Sequence, residues 1–423
     1  MKTVLQTTAL TALLVLGSPA HTLAQDALPG ATVEDLLTLV KERNPEYASM
    51  RDEALAAHER VQMAGALMDP KLRVEWMDIT KMGEQSPTLW PSDVGSTKYT
   101  LMQDLPWFGK RDLKKNIAAQ EALASQGKTE GTWTELAAKV KATHAQRYFL
   151  QHTQALTREL LDLTQRLASV AQVRYASGLA MQQEVIRAQV EQTAMRTELL
   201  AQAGESRQAD ARLNALLARP SNAPLAPPER LRPLPSAAKL DTDVLMARAR
   251  QSNPQLFAEA SRIRSAELGR DLSLKNRYPD FTLAVTPTQV QSRVSGWSLM
   301  LEVNIPLQQA SRRAQEREAQ AMLSAAQTRR EAVANQVVSD LSENLAGMDV
   351  ALHTEQLIQT SLLPQAELTL QAALASYENG KLDFATMLDA QRQVRQARQS
   401  RLKAQLEAQL RLAEIEKLLG EDL

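Results

Sequence analysis

Residues 377–391 read Tyr-Glu-Asn-Gly-Lys-Leu-Asp-Phe-Ala-Thr-Met-Leu-Asp-Ala-Gln, and residues 175–189 read Tyr-Ala-Ser-Gly-Leu-Ala-Met-Gln-Gln-Glu-Val-Ile-Arg-Ala-Gln. At an offset of 202 (377 − 175), Tyr175 falls on Tyr377, Gly178 on Gly380, Ala188 on Ala390 and Gln189 on Gln391. Each copy follows a long run of helical character, breaks at its glycine and leads into a second helical run. This is the pattern of an αα-hairpin, and the chain holds two of them.

The repeat extends outward from these hairpins. Asn44-Pro45 returns as Asn253-Pro254, and Pro70 as Pro279, both at an offset of 209 (253 − 44). After Pro70 the period drops to two: Leu72, Val74 and Trp76 alternate with Arg73, Glu75 and Met77, which predicts a strand over residues 71–77. A second strand is expected over 97–105, ending at Leu105-Pro106. After Pro279 the same reading gives strands over 280–286 and 297–305, joined by a loop from Pro287 to Gly296 and ending at Ile305-Pro306. Helices are expected from Ala48 to Met68, from Lys110 to Tyr175 with weak points at Gly127 and Gly131, and from Ala310 to Tyr377. Six prolines between residues 218 and 240 mark an extended linker outside any core. The expected division is therefore a first unit over 25–217 with its tip near 175–182, a linker over 218–240, and a second unit over 241–423 with its tip near 377–384.

Residues 1–24 have the form of a secretory signal peptide: Lys2, an apolar Ala9–Leu16, and a cleavage site ending at Ala24. The exported chain contains no cysteine, which excludes disulfides, thiolate metal sites, a cysteine nucleophile and a lipidated cysteine. Basic and acidic residues balance at 49 each, so bulk charge gives no indication of a nucleic-acid partner. No segment after Leu16 approaches the ~18 apolar residues of a membrane-spanning helix. A membrane crossing would have to use the strands.

Each predicted strand has one apolar and one polar face, which suits a sheet between lipid or core and water. Trp76, Trp90, Tyr99, Trp107, Phe108, Tyr278, Phe281 and Trp297, half of the sixteen aromatics, lie in or beside these strands. They suit the girdles of a membrane barrel, the alternative being the aromatic core of an ordinary soluble sheet. The helices are rich in Ala, Gln, Glu and Arg, with narrow apolar stripes such as Leu402, Leu406 and Leu410. They suit rods lining a polar tube, or a plain coiled coil. Catalytic constellations are missing: no phosphate loop precedes Lys110, the histidines lack zinc spacing, and His144 with His152 reads as a solvated helix face. The methionines read as packing residues. No cofactor site is expected.

The duplicated unit, the signal peptide, the Leu105-Pro106 and Ile305-Pro306 strand ends, and the Tyr-x-x-Gly tip followed by Leu388-Asp389-Ala390-Gln391 together resemble the TolC family of outer-membrane efflux channels. The resemblance covers the whole exported chain. It implies a mainly α fold with a β-barrel part: a homotrimer whose twelve strands form one outer-membrane β-barrel, continuing into a periplasmic α-helical barrel. It also implies a passive duct in outer-membrane lipid that works with a periplasmic adaptor (a membrane fusion protein) and an inner-membrane pump of the RND type. The tip would be the periplasmic gate, with Tyr377 and Asp389 at matching positions. Leu382 stands where the family has an arginine and Thr386 where it has an aspartate, so Asp383 and Glu184 are candidate substitutes, with Tyr175 as the first-copy tyrosine and Gly178 and Gly380 as the turns. The length and the Pro-Trp-Phe-Gly-Lys-Arg run look more like the heavy-metal, CzcC-like branch, implying heavy-metal cations as cargo. A multidrug or type I secretion duct of the same fold is the alternative, as is a periplasmic coiled-coil adaptor with a small soluble sheet.

Overall fold

Asn44 ends one helix and begins the next in the computed structural model, which describes residues 28–423. The expected signal peptide lies outside these residues. Helix α1 spans Val33–Arg43 and α2 spans Pro45–Gly65. The second helix therefore starts three residues earlier than expected and stops before Met68. The reason is that proline suits the first helical position, where its missing N–H would have no partner anyway. The Asn44 side-chain oxygen accepts from the N–H groups of Glu46 (2.9 Å) and Tyr47 (3.1 Å), completing the cap.

The second unit repeats this at α5 (Thr242–Ser252) and α6 (Pro254–Lys275), with Asn253 capping through Gln255 and Leu256. Each asparagine also spends its amide on the end of a returning helix. Asn44 donates to Leu216 O (2.9 Å) and Asn253 to Leu418 O (2.8 Å). Asn253→Ala removes a cap and leaves a buried carbonyl unpaired, so thermal unfolding should show a loss of about 1–2 kcal/mol.

Four strands form one antiparallel sheet in the order β1-β2-β3-β4: Lys71–Met77, Ser96–Leu105, Asp280–Val290 and Arg293–Asn304. The expected loop from Pro287 to Gly296 is replaced by a two-residue turn, Gln291-Ser292, with Val290 opposite Arg293. Proline signals a break, yet Pro287 pairs with Trp297 inside the β3–β4 ladder. The β2–β3 ladder lapses opposite it, at Tyr99 and Thr100, where proline has no N–H to give. The Thr100 and Thr286 hydroxyls meet there instead, at 2.9 Å.

Long helices leave the foot of the sheet. α3 (Lys110–Ala176) is unbroken through 67 residues, about 100 Å at 1.5 Å per residue. Gly127 is a close-approach position within it: a Cβ there would lie 2.9 Å from the Phe257 ring and 3.0 Å from Pro254 O, so the glycine lets α6 seat against α3. α4 (Gln182–Leu216) returns alongside. The counterpart of α3 is not continuous. It divides into α7 (Gln309–Leu357), a π turn (Ile358–Leu362) and α8 (Leu363–Glu378) before α9 (Phe384–Leu419) returns. Pro364 cannot donate to the preceding turn, and the backbone widens by one residue to pass it.

The core is in several pieces. Leu36, Val40, Leu136, Val140, Leu213 and Leu217 form one in the first unit, and Leu245, Leu341, Met348, Leu412, Ile415 and Leu419 its counterpart in the second. The linker belongs to these cores rather than lying outside them, because Leu225 and Leu234 pack against them. Arg232 from the linker reaches Glu416 (2.9 Å), which also binds Lys141 (2.8 Å), and both partners of that second pair are buried. His144 is buried beside them, not solvated as expected, with its Nε2 3.4 Å from Ala31 O. Burial, aided by the Arg147 charge, holds its pKa below 6.5. The unfolded chain therefore binds this proton more readily, and stability drains away as pH falls below 6.5. A His144→Gln protein should lose less melting temperature between pH 7 and pH 5 than the wild type.

Candidate gate at the coiled-coil tip

Both tips close by the same backbone device. Gly178 (φ 74°) and Gly380 (φ 71°) adopt the left-handed conformation just after a helix end. Leu179 N–H then reaches back to Arg174 O (2.8 Å) and Lys381 N–H to Ser376 O (2.9 Å), the paired bonds of a Schellman cap. Downstream, Asp383 caps α9 by accepting from Thr386 N–H at 2.8 Å. The Thr386 side chain first, and this backbone bond second, hold its carboxyl below the usual carboxylate range.

The two tip tyrosines, equivalent in sequence, are not equivalent in space. α3 packs backbone-close along both α4 and α9, whereas α4 and α9 meet mainly through long side chains. Tyr377 lies at the junction of these helices, 1% exposed, among Leu167, Ala171, Ala188, Phe384, Met387 and Leu388. Tyr175 is 46% exposed. The Tyr377 hydroxyl donates to the Glu184 carboxylate (3.3 Å), and its ring meets Phe384 edge-on at 5.6 Å. Arg174 closes the arrangement: its guanidinium lies 5.1 Å from the Tyr377 ring centroid and donates to Tyr377 O at 3.0 Å. Burial, with the Glu184 charge adding to it, pushes the tyrosine up to about 12. Its contribution is therefore complete below pH 10 and is lost only as pH rises through about 12.

Further along the coils lies a charged seam. Glu191, 5% exposed, binds Arg392 (2.6 Å) and Arg395 (3.7 Å), and Arg395 also approaches Glu198 (3.5 Å). Asp389 is exposed and meets only the edge of this seam, through Arg392 at 3.4 Å. The structure thus gathers Tyr377 and Glu184, sets Asp383 as a helix cap, and leaves Tyr175 and Asp389 outward. Arg174 and the Glu191–Arg392–Arg395 seam were missed in the sequence. Their signals were an arginine directly before Tyr175 that has no counterpart at Ser376, and the seven-residue spacing of Glu184, Glu191, Glu198 and Glu205 along α4.

The chemistry available here is that of a latch. Charged pairs and one buried tyrosine join two coils, and among the described residues no group of three or more His, Asp or Glu is placed to hold a metal. Nor is any helix among them long and apolar enough to cross a membrane.

Comparison with known proteins follows the same outline. The profile of the family described as outer membrane efflux protein matches residues 36–219 and 245–421. The cobalt-zinc-cadmium resistance protein CzcC of Cupriavidus metallidurans (strain ATCC 43123 / DSM 2839 / NBRC 102507 / CH34) is 24% identical over 382 residues, covering 88% of this chain and 86% of that protein. The outer-membrane channel OprN superposes with a TM-score of 0.78 at 16% identity, over 92% of this chain and 89% of OprN. CusC does so with a TM-score of 0.78 at 18% identity, over 95% and 96%. At such identities the structures speak for the fold alone.

Proposed function

Because this chain belongs to the outer membrane efflux protein family, we propose that three copies assemble into an exit duct through the outer membrane, with the helices extending into the periplasm. The observation that carries this reading is the outward face of the sheet. The register sets Leu72, Leu101, Val285 and Leu299 in one row, with Leu283 and Leu301 in the next, and Leu72, Leu101, Leu299, Leu301 and Trp297 are more than half exposed. The opposite face carries Arg73, Thr100, Thr286 and Ser298 in register. A face this apolar belongs against lipid. β1 and β4 each pair on one side only, and four strands are too few to close a barrel. Twelve strands from three copies satisfy both edges. A coiled-coil adaptor has no use for such a face.

Fractionation with heat-sensitive gel mobility tests the assembly: a detergent-requiring oligomer is expected, and extraction from the periplasm without detergent would end the channel reading.

The duct itself performs no chemistry and takes its energy from an inner-membrane pump of the RND type through a periplasmic adaptor. Heavy-metal cations are the cargo this reading favours, on the likeness to CzcC over most of both chains. Deleting the gene should sensitise cells to cobalt, zinc or cadmium. Sensitivity to drugs alone would move the channel to the multidrug branch.

At the tip, Tyr377, Glu184 and Asp383 are the gate, with Gly178 and Gly380 as its turns, Tyr175 turned towards a neighbouring copy, and Asp389 facing the axis. Three Asp389 carboxylates on one axis would repel one another and attract cations. Asp389→Ala should raise conductance or weaken cation block, and no change in either removes this residue from the gate.

A further inference from the structure

Where the sheet meets the helices, Trp107 follows β2 and Tyr278 precedes β3. Their rings stack with centroids 5.0 Å apart, Phe281 lies 5.6 Å from Trp107, and Phe108 meets it edge-on at 5.8 Å. Phe108 remains 81% exposed and Tyr278 50% exposed. Both adjoin the two inner strands, away from the β1 and β4 edges that are open to pairing with other copies.

Basic side chains reach the backbone beside these rings. Lys275 Nζ donates to Phe108 O at 3.2 Å and occupies the space that a Cβ on Gly109 (φ 79°) would need, so this glycine admits the ammonium. Arg277 grips the Glu316 carboxylate with two nitrogens, and Arg313 lies three residues before Glu316 on α7, on the same helix face. Glu316 thus faces two guanidinium groups, and Lys275 meets a carbonyl oxygen where a carboxylate could stand. Lys110 stands apart, committed to Asp280 (2.8 Å) and Tyr278 O (3.0 Å). Over residues 106–117, 270–280 and 305–317 the sequence has ten basic residues against four acidic ones, in a chain of zero net charge.

We propose that Lys275, Arg277 and Arg313, beside Phe108 and Tyr278, form a binding site for the phosphate headgroup of an anionic phospholipid in the periplasmic leaflet. The proposal rests on the membrane-spanning reading of the sheet. The apolar face ends at these rings, which places them at the depth where acyl chain gives way to headgroup. An exposed phenylalanine needs the acyl boundary, and the Lys275 ammonium next to it, with the two guanidinium groups that share one carboxylate, calls for an anion. A phospholipid headgroup supplies both at one depth, and free phosphate supplies only the second.

The test uses the full-length oligomer in neutral detergent, titrated with phosphatidylglycerol or phosphatidylcholine and read by native mass spectrometry. Phosphatidylglycerol should bind about tenfold tighter. A Lys275→Gln/Arg313→Gln protein should lose that preference while keeping its oligomer and melting temperature. If the double variant fails to assemble, Phe108→Ser, which removes only an exposed ring, should weaken binding of both lipids. Equal affinity for the two lipids, an unchanged preference in the double variant, unchanged binding in Phe108→Ser, or displacement of the lipid by inorganic phosphate would each overturn the site. A chain that purifies without detergent overturns the membrane reading itself. A detergent-dependent oligomer with no lipid preference overturns this proposal alone.

Discussion

Leu301→Arg is expected to abolish insertion of the protein into the outer membrane, while Ser298→Arg, three residues away on the same strand, leaves it largely intact. Leu301 stands opposite Leu283 and is 64% exposed on the apolar face. Ser298 stands opposite Thr286 on the polar face. An arginine at mid-depth on the lipid side of a barrel costs about 2–4 kcal/mol. Three copies would bear it, and together they approach the whole stability of an ordinary domain, about 5–15 kcal/mol. Heat-modifiable oligomer in outer-membrane fractions is the measurement. Equal tolerance at both positions would mean that the assigned faces are wrong.

The second large effect is expected at Tyr377. Tyr377→Ala should empty a fully buried site at a cost of about 3–5 kcal/mol, loosening the tip and lowering the melting temperature. Tyr377→Phe separates latch from packing, since it keeps the ring against Phe384 and Arg174 and removes only the bond to Glu184. At 3.3 Å that bond is long, worth about 1 kcal/mol per copy. If three copies open together, the open fraction in planar bilayers should rise about a hundredfold, at one decade per 1.4 kcal/mol. An unchanged open fraction in Tyr377→Phe, with a destabilised Tyr377→Ala, would leave the tyrosine a packing residue only. Because the hydroxyl stays protonated to about pH 12, any opening seen between pH 5 and pH 9 must come from other groups.

The sequence carried the strands well because a sheet with one apolar and one polar face imposes a strict two-residue alternation, and Leu72, Val74 and Trp76 obey it. It misled at Pro287, since a proline reads as a stop wherever the neighbouring ladder is unknown, and the Thr100–Thr286 contact that makes it tolerable joins residues far apart in the chain. It misled at Pro364 in the opposite sense, where an intact helical period concealed a π turn. At the tip the repeat revealed both tyrosines but could not say which is buried, because that depends on how α3, α4 and α9 come together around Tyr377. Arg174 stood out beside Tyr175 in the sequence, but its role did not, because its partner is a carbonyl 203 positions away.

The π turn at Ile358–Leu362 makes the two halves of the duplication mechanically unequal. α3 carries one uninterrupted ladder of backbone bonds from the sheet to the tip, and resists bending along its whole length. Its counterpart has a joint partway down, where five residues are wound more loosely and Pro364 leaves a bond unmade. A load applied at the tips by a docked partner would flex the second coil at that joint and leave the first standing as a strut. The repeat thus offers two similar arms, of which the one holding Pro364 is built to bend first.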